Sequence, residues 1–249
     1  MRLFAFGLLA CLVIGVPVAA ADDYPSSIVD RPLALEPGTI QPSLAFELTH
    51  FSNVMDPAPS NTESLVFGGD YGLAKKLQVG AVVYVTLSPS SSFGFAIASG
   101  QYQFLNFAAI RADIGVSRVD NGDTYGFFGA GLPLKLKLTD TVALISGRPY
   151  AYGAEDDIVI GLVGSGSISE FNIPLGILYQ LTPHVSVAAR SGVHTEGSAY
   201  FVPLGADITL SSSRIDFGVQ FDLAGQVSPS DGNGYADVLR LRAFAQLRI

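Results

Sequence analysis

The short stretch LTHFSN, from Leu48 to Asn53, holds residue types that nucleophilic catalysis uses. A serine hydroxyl is a poor nucleophile unless an adjacent base takes its proton, and histidine is the most common such base. His50 and Ser52 are two residues apart, so their side chains share one face if this stretch is a β-strand. That face continues through the apolar Phe46 and Leu48, so such chemistry would occur against an apolar surrounding.

Other histidines and acidic residues give no comparable constellation. His184 and His194 share a strand face but stand about ten residues, or roughly 33 Å, apart, so they cannot form one site. An acidic cluster at residues 155–157 could bind a divalent cation, although solvated loop acids are the simpler interpretation. The sequence has no glycine-rich phosphate loop and no cysteine pair with metal-ligand spacing. We therefore expect no cofactor and no metal.

A second set of polar residues alternates strictly with apolar ones. The C-terminal stretch LRLRAFAQLRI places three arginines on one strand face and leucine, alanine and isoleucine on the other, whereas a helix would spread the arginines around its circumference. The same period of two recurs through about twelve segments of the chain. We expect the charged residues on the polar faces of these strands to face a lumen: Glu47, Asp70, Arg111, Asp113, Lys135, Lys137, Arg190, Asp207, Asp216, Asp222, Arg240, Arg242 and Arg248.

The composition favours a sheet that crosses a membrane over a soluble sandwich. Hydrophobic residues make up 49% of the chain and charged residues 14%, against about 25% charged in ordinary soluble domains. After the first twenty residues no apolar run approaches the roughly 18 residues of a spanning helix. One strand face is nearly free of charge, as lipid requires, because an arginine or lysine at the bilayer midplane costs about 2–4 kcal/mol.

The spacing of the turns predicts the architecture. Short turns alternate with longer polar loops, which is the pattern of outer-membrane barrels. We predict an all-β fold, a closed antiparallel transmembrane β-barrel of about 12 strands over residues 38–249, in which only residues 146–169 resist assignment. Residues 1–21 have the pattern of a secretory signal peptide, with cleavage after Ala20 as the alternative. Residues 22–37 contain three prolines and are predicted to be a periplasmic N-terminal arm without regular structure.

The charge balance limits the partners that we expect. The full chain has a formal charge of −8, and removal of Arg2 with the signal peptide leaves −9, which argues against nucleic acid as a partner. The expected partners are the lipid bilayer of the outer membrane and, during biogenesis, the barrel-insertion machinery. The sequence leaves the oligomeric state open.

With these features the chain resembles the outer-membrane β-barrel proteins of Gram-negative bacteria. The resemblance covers about residues 38–249 and rests on the signal peptide, the strand-and-turn rhythm and the final strand. It implies a location in the outer membrane after export. Those families usually end in an aromatic residue, whereas this chain ends in Ile249 and contains no tryptophan.

The stretch from His50 to Asn53 resembles the His-x-Ser-Asn signature of the lipid A deacylases and of outer-membrane phospholipase A. In those families the serine is the nucleophile, the histidine is its base, and a downstream Glu or Asn orients the histidine. The resemblance implies Ser52 as nucleophile, His50 as base, and Glu63 or Asn61 as the third residue. Two functions therefore remain open. The favoured one is a barrel without catalytic activity, either a narrow porin-like channel or a structural barrel, and the alternative is an outer-leaflet lipid esterase.

Overall fold

The computed structural model describes residues 24–51, 61–118, 124–146, 159–163, 168–196, 199–224 and 238–249. Within these ranges the chain forms strands and one short 3-10 turn, Ile28–Asp30. The strands are β1 (Ile40–Phe51), β2 (Asn61–Ala74), β3 (Leu77–Ser88), β4 (Ser92–Leu105), β5 (Ala108–Arg118), β6 (Thr124–Gly131), β7 (Lys135–Lys137), β8 (Val142–Ile145), β9 (Val159–Val163), β10 (Ile168–Thr182), β11 (Val185–Glu196), β12 (Ala199–Phe201), β13 (Leu204–Ser211), β14 (Ile215–Ala224) and β15 (Val238–Leu247). No helix in the described part of the chain is long and apolar enough to cross a membrane.

All strands belong to one antiparallel sheet. Its order is β12-β11-β13-β14-β15-β1-β2-β3-β4-β5-β6-β9-β10-β8-β7, and β10 also pairs with β11. This additional pairing extends from Glu170 opposite Glu196 to Thr182 opposite Val185. Five short connections, at residues 75–76, 106–107, 138–141, 183–184 and 212–214, lie at one end of the sheet. We call this the short-turn end.

The sheet has more elements than the alternation predicted because prolines interrupt two strands. Residues 132–134, with Pro133, separate β6 from β7, and residues 202–203, with Pro203, separate β12 from β13. Proline has no N–H to donate to a neighbouring strand, so each of these breaks lacks one ladder donor, although Pro42 and Pro174 lie within β1 and β10 without interrupting them. β8 and β9 pair with successive parts of β10. The fifteen elements therefore occupy about twelve positions. Of the unassigned residues 146–169, β9 and the start of β10 are described as strands.

The two faces of the sheet have inverted exposure. The face that carries the large apolar side chains, which we call the apolar face, is open: Ile114 is 67% exposed and Leu175 is 61% exposed. The opposite face, which we call the polar face, contains Asp216 and Arg248, both 0% exposed. Soluble proteins show the reverse arrangement. The polar face is therefore the enclosed one.

Part of the enclosed space is filled by apolar side chains on the polar face. Ala45, Val66 and Phe244 are buried there, and the rings of Tyr84 and Phe95 stack with their centroids 4.9 Å apart. These side chains narrow the enclosed space on the polar face.

Candidate functional site

Charged side chains on the polar face are held by strand register. Glu47 on β1 lies directly opposite Arg242 on β15, and Arg242 Nη2 is 2.7 Å from Glu47 Oε2. Arg240 Nε lies 3.6 Å from Glu47 Oε1, and the hydroxyl of Tyr84 donates to the same oxygen at 3.1 Å. One carboxylate thus compensates two guanidinium groups in the enclosed space.

A second ion-pair cluster bridges three strands. Arg190 on β11 donates from Nη2 to Asp207 Oδ1 on β13 at 2.7 Å and to Asp222 Oδ1 on β14 at 2.6 Å. Gly205 lies between Arg190 and Asp222 in register. A Cβ at this glycine would be 2.6 Å from Asp222 Oδ1 and 2.9 Å from Arg190 Nη2. The absence of a side chain at position 205 therefore allows the arginine to reach across β13.

A third cluster binds the segment that precedes the first strand. Arg31 donates from Nη1 to Asp216 Oδ2 at 2.7 Å and from Nη2 to Asp216 Oδ1 at 2.9 Å. Arg248 also pairs with Asp216. The ring of Tyr24 lies below both arginines, with its centroid 4.8 Å from Arg248 Cζ and 5.5 Å from Arg31 Cζ. This bidentate contact and the two cation–π contacts anchor one end of the segment.

The other end of the segment is bound through its backbone by glutamines. Gln103 Oε1 on β4 accepts hydrogen bonds from the N–H groups of Leu33 and Ala34, each at 3.1 Å. Gln78 on β3 accepts from the N–H of Leu35 at 2.8 Å, and Gln101 donates to the carbonyl of Leu33. These bonds replace the regular structure that the prolines of the segment prevent.

The segment therefore extends along the polar face from β3 and β4 to β10 and β13. Beyond the glutamine contacts on β3 and β4, the N–H of Ile28 donates to Gln180 Oε1 on β10 at 2.9 Å. Ser211 at the end of β13 donates to the carbonyl of Ser26 at 2.8 Å. Near its exit the backbone passes closely over β2, where a Cβ on Gly72 would lie 1.9 Å from the carbonyl oxygen of Glu36. We call residues 24–37 the crossing segment; its contacts lie near the short-turn end.

Between the crossing segment and the polar face lies a cavity of about 150 Å³. Charged residues that line it include Asp70, Arg111 and Lys135. Arg111 Nε donates to Asp113 Oδ1 at 2.9 Å. The Lys135 ammonium donates to the carbonyl oxygens of Ile28, at 2.9 Å, and Arg31. The cavity is thus bounded by charged groups of the strands and by the backbone of the crossing segment.

Asp30 fastens the edge of the crossing segment. Lys137 Nζ lies 2.7 Å from Asp30 Oδ1 and 2.9 Å from Asp140 Oδ1. The hydrogen bond from Lys137 holds the pKa of Asp30 below its ordinary value. A lowered carboxyl pKa in the docked state means that this contact favours docking above the ordinary pKa. The contribution is lost as the pH falls through the docked pKa.

We expect acid to loosen the crossing segment. Amide hydrogen exchange of residues 33–35, corrected for its intrinsic pH dependence, should become modestly faster as the pH falls below the ordinary carboxyl pKa, because Asp30 then takes up a proton. Asp30→Asn should show at pH 7 the faster exchange that the wild-type chain reaches only in acid. Asp140→Asn, which removes the more exposed partner of Lys137, is the matched control and should keep the wild-type profile. An Asp30→Asn profile identical to the wild type contradicts this prediction.

His50 lies at the opposite end of the sheet from the short turns. It is directly opposite Asn61 on β2, and its Nδ1 is 2.9 Å from Asn61 Oδ1. Both side chains are exposed and share the parity of the apolar face. Glu63 lies opposite Leu48, one pair further along the strands. Ser52 and residues 155–157 lie outside the described residues. His194 belongs to β11, but its side chain is not described.

Comparisons with solved structures identify the fold. No family model and no curated protein matches the chain. The KdgM porin in complex with disordered oligogalacturonate aligns with a TM-score of 0.54 at 10% identity, covering 83% of this chain and 98% of that one. The NanC porin aligns at 0.53 with 8% identity, covering 83% and 100%. The fold is porin-like. The translocator domain of the autotransporter NalP from Neisseria meningitidis aligns at 0.54 with 9% identity, covering 85% and 88%.

The porin-like sheet places the predicted charged residues in different environments. Seven are buried on the polar face: Glu47, Asp113, Asp207, Asp216, Asp222, Arg242 and Arg248. Five are half-buried: Asp70, Arg111, Lys135, Arg190 and Arg240. Lys137 is exposed near the short-turn end. Within the described ranges no three histidine, cysteine, aspartate or glutamate side chains could hold a metal ion.

The alternation of the sequence does not predict the contacts between the crossing segment and its glutamine partners. The segment contains apolar residues, Ile28, Val29, Ala34 and Leu35, that are buried in the structure. The signal in the sequence was the presence of these apolar residues, because apolar side chains in a solvated arm would be exposed to water. They indicate that the segment packs against another part of the chain.

Proposed function

We propose that this chain is a porin-like channel of the outer membrane, formed by a closed barrel of about twelve strands. The observation that carries the proposal is the inverted exposure of the sheet, with ion-paired residues enclosed and large apolar residues open. Pairing of β10 with β11 supports closure. Closure satisfies the strand edges, as a hydrocarbon environment demands. Residues 1–21 are then the cleaved signal peptide, residues 22–37 the arm and residues 38–249 the barrel.

The orientation follows from the turns. Outer-membrane barrels have short periplasmic turns and longer external loops. The short-turn end is then periplasmic, and the crossing segment lies over the periplasmic mouth of the lumen. The predicted arm is accordingly a plug at that mouth.

The width of the lumen suits a narrow channel for small solutes. Barrels of eight strands are just filled by side chains and those of sixteen to eighteen leave an open pore, so about twelve strands give an intermediate lumen. Paired charges of both signs on the polar face suit a polar solute. A similar structure, the KdgM porin, holds oligogalacturonate, which supports a polar solute as the cargo class.

Two measurements test the channel. Circular dichroism of the detergent-purified chain should show a strand spectrum, and substantial helix would contradict the barrel. In planar bilayers the chain should produce discrete conductance steps. Persistent silence, both in the full chain and in a chain that lacks the crossing segment, would overturn the channel and leave a structural barrel.

A second candidate function, an outer-leaflet lipid hydrolase, is favoured by one observation. The contact of 2.9 Å between His50 and Asn61 is the orientation of a base by a neighbouring amide that serine hydrolases require. The pair shares the parity of the apolar face, where a membrane lipid could reach it. In this candidate Ser52 is the nucleophile, and Asn61 rather than Glu63 orients His50.

We expect the variants of this candidate site to separate the two functions. If the hydrolase operates, Ser52→Ala and His50→Ala will abolish release of ester-linked acyl chains from phospholipid or lipopolysaccharide. Asn61→Ala will retain a small residual rate, because it removes only the orienting group. Thr62→Ala, at the neighbouring position of opposite parity, is the matched control and should keep the rate. No acyl release by the wild-type chain in mixed micelles would remove the candidate.

A further inference from the structure

The cavity behind the crossing segment contains two charged groups that lack an opposite charge in contact. Among the described residues Asp70 on β2 forms no hydrogen bond and no ion pair within 4.0 Å; Arg111, which lines the same cavity, acts on it electrostatically from a greater distance. Its carboxylate lies over Gly80, where a Cβ would be 2.3 Å from Oδ1. Lys135 on β7 has no carboxylate within the same distance in that part of the chain and donates only to two backbone carbonyls.

The other charged residues that line this cavity are compensated. Arg31 and Arg248 share Asp216, and Arg111 pairs with Asp113. Asp70 and Lys135 are therefore distinct from their neighbours, and both line the same cavity. An enclosed charge without a partner is costly. A ligand that carries both an anion and a cation would compensate the two groups together.

We propose that this cavity binds a small zwitterion, with the ligand's carboxylate at Lys135 and its ammonium at Asp70. A space of about 150 Å³ is comparable to the engineered apolar cavity that takes up benzene, so it admits a molecule of about six heavy atoms such as alanine. The binding site deepens the proposed channel function and rests on it for its biological use. A free amino acid is the simplest solute of this class.

A ligand carboxylate at Lys135 also competes with the crossing segment. The Lys135 ammonium has three hydrogens, and two of them are directed to the carbonyls of Ile28 and Arg31. Binding of the zwitterion redirects the lysine or uses its third hydrogen. The site is thus positioned where an incoming solute meets the plug.

The test uses the full chain in detergent and three probes of similar size. L-alanine carries both charges, propionate only the carboxylate, and ethylamine only the ammonium. Alanine should bind at least about tenfold more tightly than either single-charge probe, because it alone can form a charged hydrogen bond at both Asp70 and Lys135. Titration followed by saturation-transfer NMR measures the three affinities.

Two variants assign the charges. Asp70→Asn should lower alanine affinity to that of propionate, and Lys135→Met should lower it to that of ethylamine. Lys75→Met removes an exposed lysine of the β2–β3 turn that does not line the cavity, and it should leave alanine binding unchanged. Circular dichroism confirms that each variant is folded, and Asp70→Glu, which keeps the charge, should retain most of the preference if Asp70→Asn is unstable.

The outcomes separate this site from the channel. Equal affinities for the three probes, or alanine binding unaffected in both variants, overturn the zwitterion site. A chain that conducts ions but binds no alanine also overturns the site while the channel stands. A chain that binds alanine as described but never conducts, even without the crossing segment, supports the site and overturns the channel.

Discussion

If the chain is the proposed channel, removal of residues 24–37 is expected to raise the single-channel conductance by roughly an order of magnitude, because the proposed barrel of about twelve strands leaves a lumen once nothing crosses it. The segment is bound on opposite sides of the sheet, by glutamines of β3 and β4 and by Gln180 and Asp216. In the proposed orientation, a solute on a direct path through the periplasmic mouth would meet its backbone.

The barrel should tolerate this deletion. Asp216 keeps Arg248 as its partner when Arg31 is removed, so no charge is left uncompensated there. The glutamines and Lys135 can bond to water that enters the opened mouth. β1 begins at Ile40, so its pairing with β2 and β15 is retained.

A cross-linked variant tests the same idea from the opposite direction. Cys11 is the only cysteine of the chain and lies in the predicted signal peptide. The backbone nitrogen of Ala34 lies 3.1 Å from Gln103 Oε1. Cysteines at these two positions can be joined by a short thiol cross-linker. The joined chain should keep a low conductance in acid. The same double-cysteine chain without the cross-linker is the control, and its conductance should rise in acid at least as much as that of the wild type, because it lacks the Gln103 acceptor. Equal conductance of the deletion and the full chain would show that the segment does not obstruct the lumen.

The period of two predicted the sheet because lipid and lumen impose opposite requirements on alternate residues. On this ground alone the sequence predicts that Arg240, Arg242 and Arg248 share one face near the C-terminus, and that face is the enclosed one. The same rule did not show where ladders stop. The apolar–polar alternation continues through Pro133 and Pro203, although strands are interrupted there. Alternation reflects only the direction of side chains, and it does not show where an N–H donor is missing.

The partners of the charged residues could not be predicted, because register and long-range contacts determine them. Arg190 reaches Asp222 only because Gly205 lies between them, on a strand that neither residue belongs to. Arg31 meets Asp216 from a segment that has no alternation. For His50, in contrast, the resemblance implied Glu63 or Asn61 as a partner. The pairing of β1 with β2 brings His50 to Asn61.

Replacement of Asp216 by asparagine is expected to destabilise the barrel by about 3–5 kcal/mol, the cost of leaving a buried charge without its partner. Asp216 is fully buried and is shared by Arg31 and Arg248, whose side chains are 5% and 1% exposed. An amide at position 216 can still accept a hydrogen bond, but it cannot compensate two guanidinium groups. The free energy of unfolding, from urea titration in lipid vesicles followed by tyrosine fluorescence, measures this cost.

The reason for the loss can be isolated by combining the two changes. In a chain without residues 24–37, Arg248 is the partner that remains beside position 216 among the described residues, and the opened mouth admits water to it. Asp216→Asn should therefore cost clearly less in the shortened chain than in the full one, and the difference is the coupling between the crossing segment and the barrel. Asp140→Asn, at a side chain that is 96% exposed, should change stability by no more than about 0.5 kcal/mol in both chains. An equal cost of Asp216→Asn in the two chains would mean that the ion pair between Arg31 and Asp216 does not stabilise the chain. It would contradict the idea that this ion pair anchors the plug.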